Sequence, residues 1–396
     1  VKLRREIEKI FSTLGRILRG LGGFSRRPEV RASRILALNR REVKMKKGRN
    51  LTDLAAEIQR QAQTKKDFVA DTRTIAMRDQ APIIHFPSAP ELGEFEVGDY
   101  AHGQIADRVG IPKKYYDRMK SEAPALLARN VNHWFQTAPE KRMIRTLDGR
   151  ARAFLSERYR PLDHFDLAES VLPKILETSC QVVSCEITEL KMYIKAVTEK
   201  ITLEVKRGDV VQAGVVISNS EVGAGSVKVE PLIYRLSCEN GMIALDFSVR
   251  KHHVGRRSRG DDELEGAREF FRDETRIADD RAFFLKVRDT VDAALTEATF
   301  GKIVAKLREA TELRIEADPV KVLERVQEKF SLNDNERGSV LNHLISGGEL
   351  SAYGLANAIT RASQDLDDYD RATEFEKLGG EIITLPRSDW QVLAAA

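Results

Sequence analysis

Hydrophobic and polar positions change period twice along this chain. Between residue 50 and about 140 apolar residues recur mostly at helical spacing. Leu54, Ala55, Ile58 and Ala62 follow Thr52, a candidate N-cap, and 100–135 holds two or three further helices. Within this region DFVADTRTIAM (67–77) alternates like a strand, and PIIHFPSAPELGEF reads as proline-rich loop. From about 141 to 260 the period is two. Strands are expected over 142–147, 152–157, 181–197, 200–206, 209–218, 226–238 and 242–253, with one helix over 164–177. Turn signals separate them at Asp148-Gly149, Arg207-Gly208-Asp209, Ser220 to Gly225 and Glu239-Asn240-Gly241, where Asn-Gly is expected to supply positive φ. After Asp261 the period returns to 3.6, with a long helix from about 262 to 298 and shorter ones to the end.

These elements predict an α+β protein: a central antiparallel sheet with a packed helix, flanked by N-terminal and C-terminal helical regions. The expected divisions are 1–44, a mostly helical 45–140, a sheet core over 141–261 and a helical 262–396. Gln104 to Val109 followed by Gly110-Ile111-Pro112 is similar to the first helix and turn of a helix-turn-helix. A helical hairpin packed on a core produces the same pattern.

Charge changes the picture in one place. The formal net charge is +4, yet residues 1–44 hold 13 Lys or Arg and 4 Glu, a net of +9, so the other 352 residues carry −5. The first segment reads either as a basic amphipathic arm, with Leu3, Ile7, Ile10, Leu14, Ile17 and Leu21 near one face, or as sequence upstream of a natural start at Met45. No apolar run approaches the ~18 residues of a membrane span, and no signal-peptide pattern is present. Three cysteines form no disulfide framework. The expectation is a cytoplasmic protein without a membrane partner.

Candidate chemistry concentrates on two strands. Along 187–197, Glu189, Lys191, Tyr193 and Lys195 share one face, opposite Leu190, Met192, Ile194 and Ala196. Cations with an aromatic between them, one side chain every ~7 Å, match an extended single strand with stacked bases. The strand over 242–253 runs into Arg250, Lys251, His252, His253, Arg256, Arg257 and Arg259, and Arg152, Arg158 and Arg160 lie in RAFLSERYR. An ordinary solvated strand face, with Asp261, Asp262, Glu263 and Glu265 answering the cations, gives the same sequence. Glu189-Leu190-Lys191 also has the Glu-x-Lys spacing of metal-dependent nucleases, whose second carboxylate would come from Asp163 or Asp166. Metal-ligand spacings, phosphate-binding glycine loops and the GxSxG elbow do not occur, so no metal, cofactor or catalytic residue is assigned.

Four stretches carry a resemblance: HGQIADRVGIPKKYYDRM (102–119), RTLDGRARAFLSERYRPLDHFDL (145–167), YRLSCENGMIALDFSVRKHHVG (234–255) and ELSAYGLANAITRAS (349–363). Together they resemble the phage- and plasmid-type family designated domain of unknown function 932, over about Met45 to Trp390. The resemblance implies a mobile-element context, not a chemistry. Such elements often carry annealing proteins that hold single-stranded DNA on a sheet and helix, as rings or filaments of one chain.

The expectation is therefore a non-enzymatic protein binding single-stranded nucleic acid, DNA in preference to RNA, with homo-oligomers as a further expectation. Its contacts would be Arg158, Arg160, Lys191, Tyr193, Lys195, Arg250, Lys251, Arg256 and Arg257. The alternatives are a nuclease using Glu189 and Lys191, and a protein-interaction factor of a mobile element.

Overall fold

The structure, a computed structural model, describes residues 48–244, 249–251 and 273–395; the arm considered for 1–44 lies outside them. Among the described residues are twelve helices and two six-stranded sheets, an α+β fold. None of these helices is long and apolar enough to cross a membrane.

Helix α1 (Leu51–Thr64) is capped by Asn50, whose side chain accepts from the Asp53 N–H, not by Thr52 as expected. It leads into the first sheet. This sheet comprises β1 (Lys66–Asp71), β2 (Ala76–Met77), β3 (Ile83–His85), β4 (Glu94–Val97), β5 (Lys141–Leu147) and β6 (Arg150–Ser156), in the order β1-β5-β6-β4-β3-β2. Only the β4–β6 pair is parallel. Asp148 and Gly149 turn the β5–β6 hairpin with φ of 51° and 78°, the left-handed pair that a two-residue hairpin needs. Helices α2 (Asp99–Val109), α3 (Lys113–Glu122) and α4 (Pro124–Thr137) cover one face. There Ile105, Tyr116, Val131 and Phe135 pack on Ile144, Ala151 and Phe154. The helix-turn-helix-like stretch is thus a hairpin packed on a core. Asn132 of α4 accepts from the N–H of Met77 and donates to its carbonyl, blunting the β2 edge.

This sheet is a departure from the expectation, which assigned 141–157 to the central sheet and made 45–140 mostly helical. The strand-like stretch 67–77 holds β1 and β2, broken by a turn at Thr72–Thr74, whereas β3 and β4, of three and four residues, are too short to show a period, and the β5–β6 hairpin finds its partners upstream in the chain.

The second sheet is antiparallel: β7 (Gln181–Ile187), β8 (Met192–Lys206), β9 (Asp209–Asn219), β10 (Val227–Arg235), β11 (Asn240–Ile243) and β12 (Val249–Lys251). Its order is β11-β10-β9-β8-β7, with β12 also on β10. Helix α5 (His164–Glu177) spans the predicted residues, and its apolar stripe at Leu167, Val171 and Ile175 is buried. With α1 and α6 (Asp273–Ala294) it covers one face, packing on Met192, Ile194, Ala196, Val215 and Ile217. Two boundaries differ from expectation. The alternation read through 181–197 hides a turn, in which the Thr188 N–H donates to the Lys191 carbonyl. At the other turn the positive φ, 49°, belongs to Glu239; Asn240 is already in β11, buried and donating to Thr360.

The remaining helices are α7 (Glu297–Glu312), α8 (Pro319–Phe330), α9 (Asp334–Gly347), α10 (Ala352–Ala362), α11 (Tyr369–Thr384) and α12 (Arg387–Ala394). They bury Phe300, Leu323, Val340, Leu355, Ile359 and Phe375 around Val211, Ala213, Ile233 and Met242. Helix α11 lies against β11 so closely that a Cβ added at Gly380 would overlap the Ile243 carbonyl. Gly380→Ala is therefore expected to destabilise by about 1–3 kcal/mol through overpacking, although alanine favours a helix interior by about 1 kcal/mol. A urea midpoint that stays or rises contradicts this contact.

Candidate nucleic-acid interface

One end of the second sheet gathers most of the expected cations. Ile187 pairs with Met192, Met192 with Asn219, Ser218 with Lys228, and Val227 with Lys251. The Thr188–Lys191 turn, the Ser220–Ser226 loop and the exit of β12 therefore lie at the same sheet end. The segment joining β6 to α5 reaches it too: the Tyr159 hydroxyl donates to the Ser220 carbonyl at 3.2 Å. The glycine loop touches both sides. A Cβ on Gly223 would meet Leu155 and Tyr159, and one on Gly225 would lie 3.4 Å from Lys191 Cε.

At this end Arg158 is exposed and Lys191 half-buried. Neither has a carboxylate partner among the described residues. Arg160 is paired with Asp279 of α6 at 2.9 Å. Arg250 sits opposite Lys228 and Lys251 opposite Val227 in the β10–β12 register. Arg256 and Arg257 lie outside the described residues.

Tyr193 and Lys195 do not belong to this surface, and the expectation for them is corrected. Helix α11 covers their face of the sheet. Lys195 is fully buried, with Nζ 2.6 Å from Glu376 Oε2 and 3.1 Å from Thr373 Oγ1, over the Tyr369 ring. Tyr193 is buried and donates to Asp370 at 2.6 Å. Two strands away in the same register, buried Glu230 faces Lys377 at 3.0 Å. Burial pushes the Lys195 ammonium down and the Glu376 carboxyl up, while each holds the other toward its charged form. A polar row on a strand reads alike whether water or a helix lies over it. The answering carboxylates are some 180 residues downstream, |i−j| being 177 for Asp370 and 181 for Glu376.

Beneath the glycine loop lies a buried ion network that sequence reasoning missed. Arg145 of β5 is fully buried and donates to Asp67 at 2.8 Å, Asp163 at 2.7 Å and the Glu221 carbonyl at 2.9 Å. Lys65 pairs with Asp163, and Arg152 with Glu221. Glu221 also accepts from the His164 N–H at 2.6 Å, capping α5. Burial works against the Glu221 charge, but the cations around it outweigh burial and hold its pKa low. His164 is pushed down to about 4 by burial; its Nδ1 lies 3.1 Å from the Asn219 amide that also donates to Leu162, which fits a neutral ring. Arg152 and Asp163 of the RAFLSERYRPLD stretch were weighed from the sequence as a phosphate contact and a nuclease carboxylate, and the structure places both in this network.

The network also bears on the nuclease alternative. Asp163 is taken up by Arg145 and Lys65, while Glu189 is exposed, with Arg150 at 3.7 Å. Among the described residues no three His, Cys, Asp or Glu side chains are grouped to hold a metal ion. Cys180 and Cys185 are buried free thiols, the latter pushed up to about 12 by burial, and Cys238 is half-buried. Compared with family models, curated proteins and solved structures, the chain has no significant match.

Two outcomes follow from these buried charges. Lys195→Ala strands Glu376 and is expected to cost about 3–5 kcal/mol in urea unfolding, whereas Lys195→Met with Glu376→Leu is expected to recover most of it. Equal losses in both variants contradict a paired charge. The histidines set an acid limit. His102, held at 2.8 Å by the Tyr116 hydroxyl, is also pushed down to about 4 by burial. Unfolded chains take up these protons near pH 6.5 and the folded chain only near 4, so stability falls over that range, by on the order of 3 kcal/mol per histidine at pH 4. Asp166, raised to about 6 by withdrawal from solvent, works in the opposite sense. The histidine share is therefore read from His102→Gln, which should flatten the acid-side loss; an unchanged slope contradicts it.

Proposed function

We propose that the chain binds single-stranded nucleic acid without catalysis, as a protein of a phage or plasmid, and that contact is made at the loop end of the second sheet. One observation carries the reading. The backbones of Arg158, Lys191 and Lys251 come to one sheet end, where Arg158 and Lys191 are unanswered by carboxylates among the described residues; in the sequence, His252, His253, Arg256, Arg257 and Arg259 follow Lys251. Positive charge that no carboxylate answers favours a polyanion. Unpaired strands suit it better than duplex, since among the described residues of this sheet end it is loops and turns, not a helix, that carry the unanswered cations Arg158 and Lys191. The preference for DNA rests on the mobile-element resemblance alone.

The test is anisotropy of a labelled single-stranded oligonucleotide with the full chain across a salt series. A basic first segment contributes its own binding, so the informative quantity is the change in slope. Arg158→Ala with Lys191→Ala is expected to reduce the log–log salt slope by about 1.4, two phosphate contacts at roughly 0.7 each. Absence of binding at about 50 mM salt sinks the reading, and an unchanged slope in the double variant sinks the placement.

A further inference from the structure

A groove of about 450 Å³ runs between α5 and α6, and its two walls carry opposite charge. Asp166 and Glu169 stand one turn apart on α5. Arg281 and Arg288 stand two turns apart on α6, with Phe284 between them. None of these four charged side chains is in an ion pair among the described residues. Facing charges of opposite sign that do not close on each other leave a gap with acceptors on one side and donors on the other.

The groove lies beside the proposed interface. Arg160 reaches α6 through Asp279 at 2.9 Å, two residues before Arg281, and Pro161 and Leu162 belong to the groove lining. A ligand suited to it offers N–H donors to the acidic wall, a flat face to Phe284 and negative charge to the arginines. A guanine nucleotide has this layout: N1–H and the 2-amino group both donate, while adenine and cytosine offer only one amino group on that edge. Its phosphates suit guanidinium forks. A volume of about 450 Å³ is within the usual range for a small-ligand site.

Resting on the reading of the chain as a single-strand binder, we propose that this groove takes one guanine nucleotide of the bound strand. Asp166 and Glu169 read the base, and Arg281 and Arg288 hold its phosphates. The acidic wall then supplies a base preference that the cations at the sheet end lack. Asp166 stands exposed at the groove, with Asp163, Lys65, Glu169 and Glu221 near it on its own side and Arg281 and Arg288 across the groove.

The experiment uses the full chain at fixed salt, with thymine oligonucleotides carrying one central guanine, hypoxanthine or thymine, and with GMP alone. Guanine is expected to bind about tenfold more tightly than hypoxanthine, which lacks the 2-amino group, or thymine. Asp166→Asn with Glu169→Gln should remove that difference without weakening the thymine strand. Arg281→Ala with Arg288→Ala should weaken all three. These side chains line an open groove, and unchanged thermal midpoints confirm that the variants fold. Equal affinity for guanine and hypoxanthine overturns the proposal while leaving single-strand binding intact. Failure of every oligonucleotide to bind overturns both. GMP binding as tightly as the guanine strand overturns the link to a strand and makes the ligand a free nucleotide.

Discussion

The fully buried pair of Lys195 and Glu376 constrains the rest of this structure. An ammonium and a carboxylate at zero exposure persist only if each answers the other, because desolvating either alone costs several kcal/mol. That requirement holds α11 on the second sheet. Tyr193 with Asp370, and Glu230 with Lys377, repeat the arrangement on either side. Polar pairs of this kind contribute less to stability than to register: a helix shifted by one residue would leave carboxylates facing Val197 or Val216. With α11 seated and α1, α5 and α6 on the opposite face, both surfaces of the sheet are closed where β8 crosses it.

Among the described residues this leaves the sheet ends for the contact proposed above. The end bearing the glycine loop is braced by the second set of buried charges. Arg145 reaches from the first sheet to the Glu221 carbonyl in a loop of the second, and Asp67, Asp163 and Lys65 complete the balance. Three cations and three carboxylates meet there, counting Arg152 and Glu221, so the network is neutral within itself. It spends no charge on the surface above it. Arg158 and Lys191 take no part in it, and neither is in an ion pair among the described residues.

Much of the fold was legible in the sequence. The helix over 164–177, the strand expected over 209–218 and found over Asp209–Asn219, and the hairpins at Asp148-Gly149 and Arg207-Gly208 came from period and turn chemistry, which are local signals. What failed was non-local. Strands such as Ile83–His85 and Glu94–Val97, read as loop, are too short to show a period, and their sheet is fixed by pairing with residues 141–156. The candidate site shows the same division. Lys191 was read on a strand face and Arg158 and Arg160 within RAFLSERYR; the structure puts Lys191 in a turn, and topology alone decides that they share a sheet end. Tyr193 and Lys195 were misjudged because a strand's polar face carries no mark of the helix that later covers it. Arg145 and Glu221 were overlooked because each, alone in its segment, resembles an ordinary surface charge.

The polar face of β8 is core, and the loop end is the proposed contact surface. Hydrogen exchange of the full chain, with and without a single-stranded oligonucleotide, tests it most directly. The account predicts slowed exchange at 157–161, 188–191 and 220–226, with 369–384 equally protected in both states. Protection that appears along 369–384 on binding, with the three loops unchanged, would contradict it.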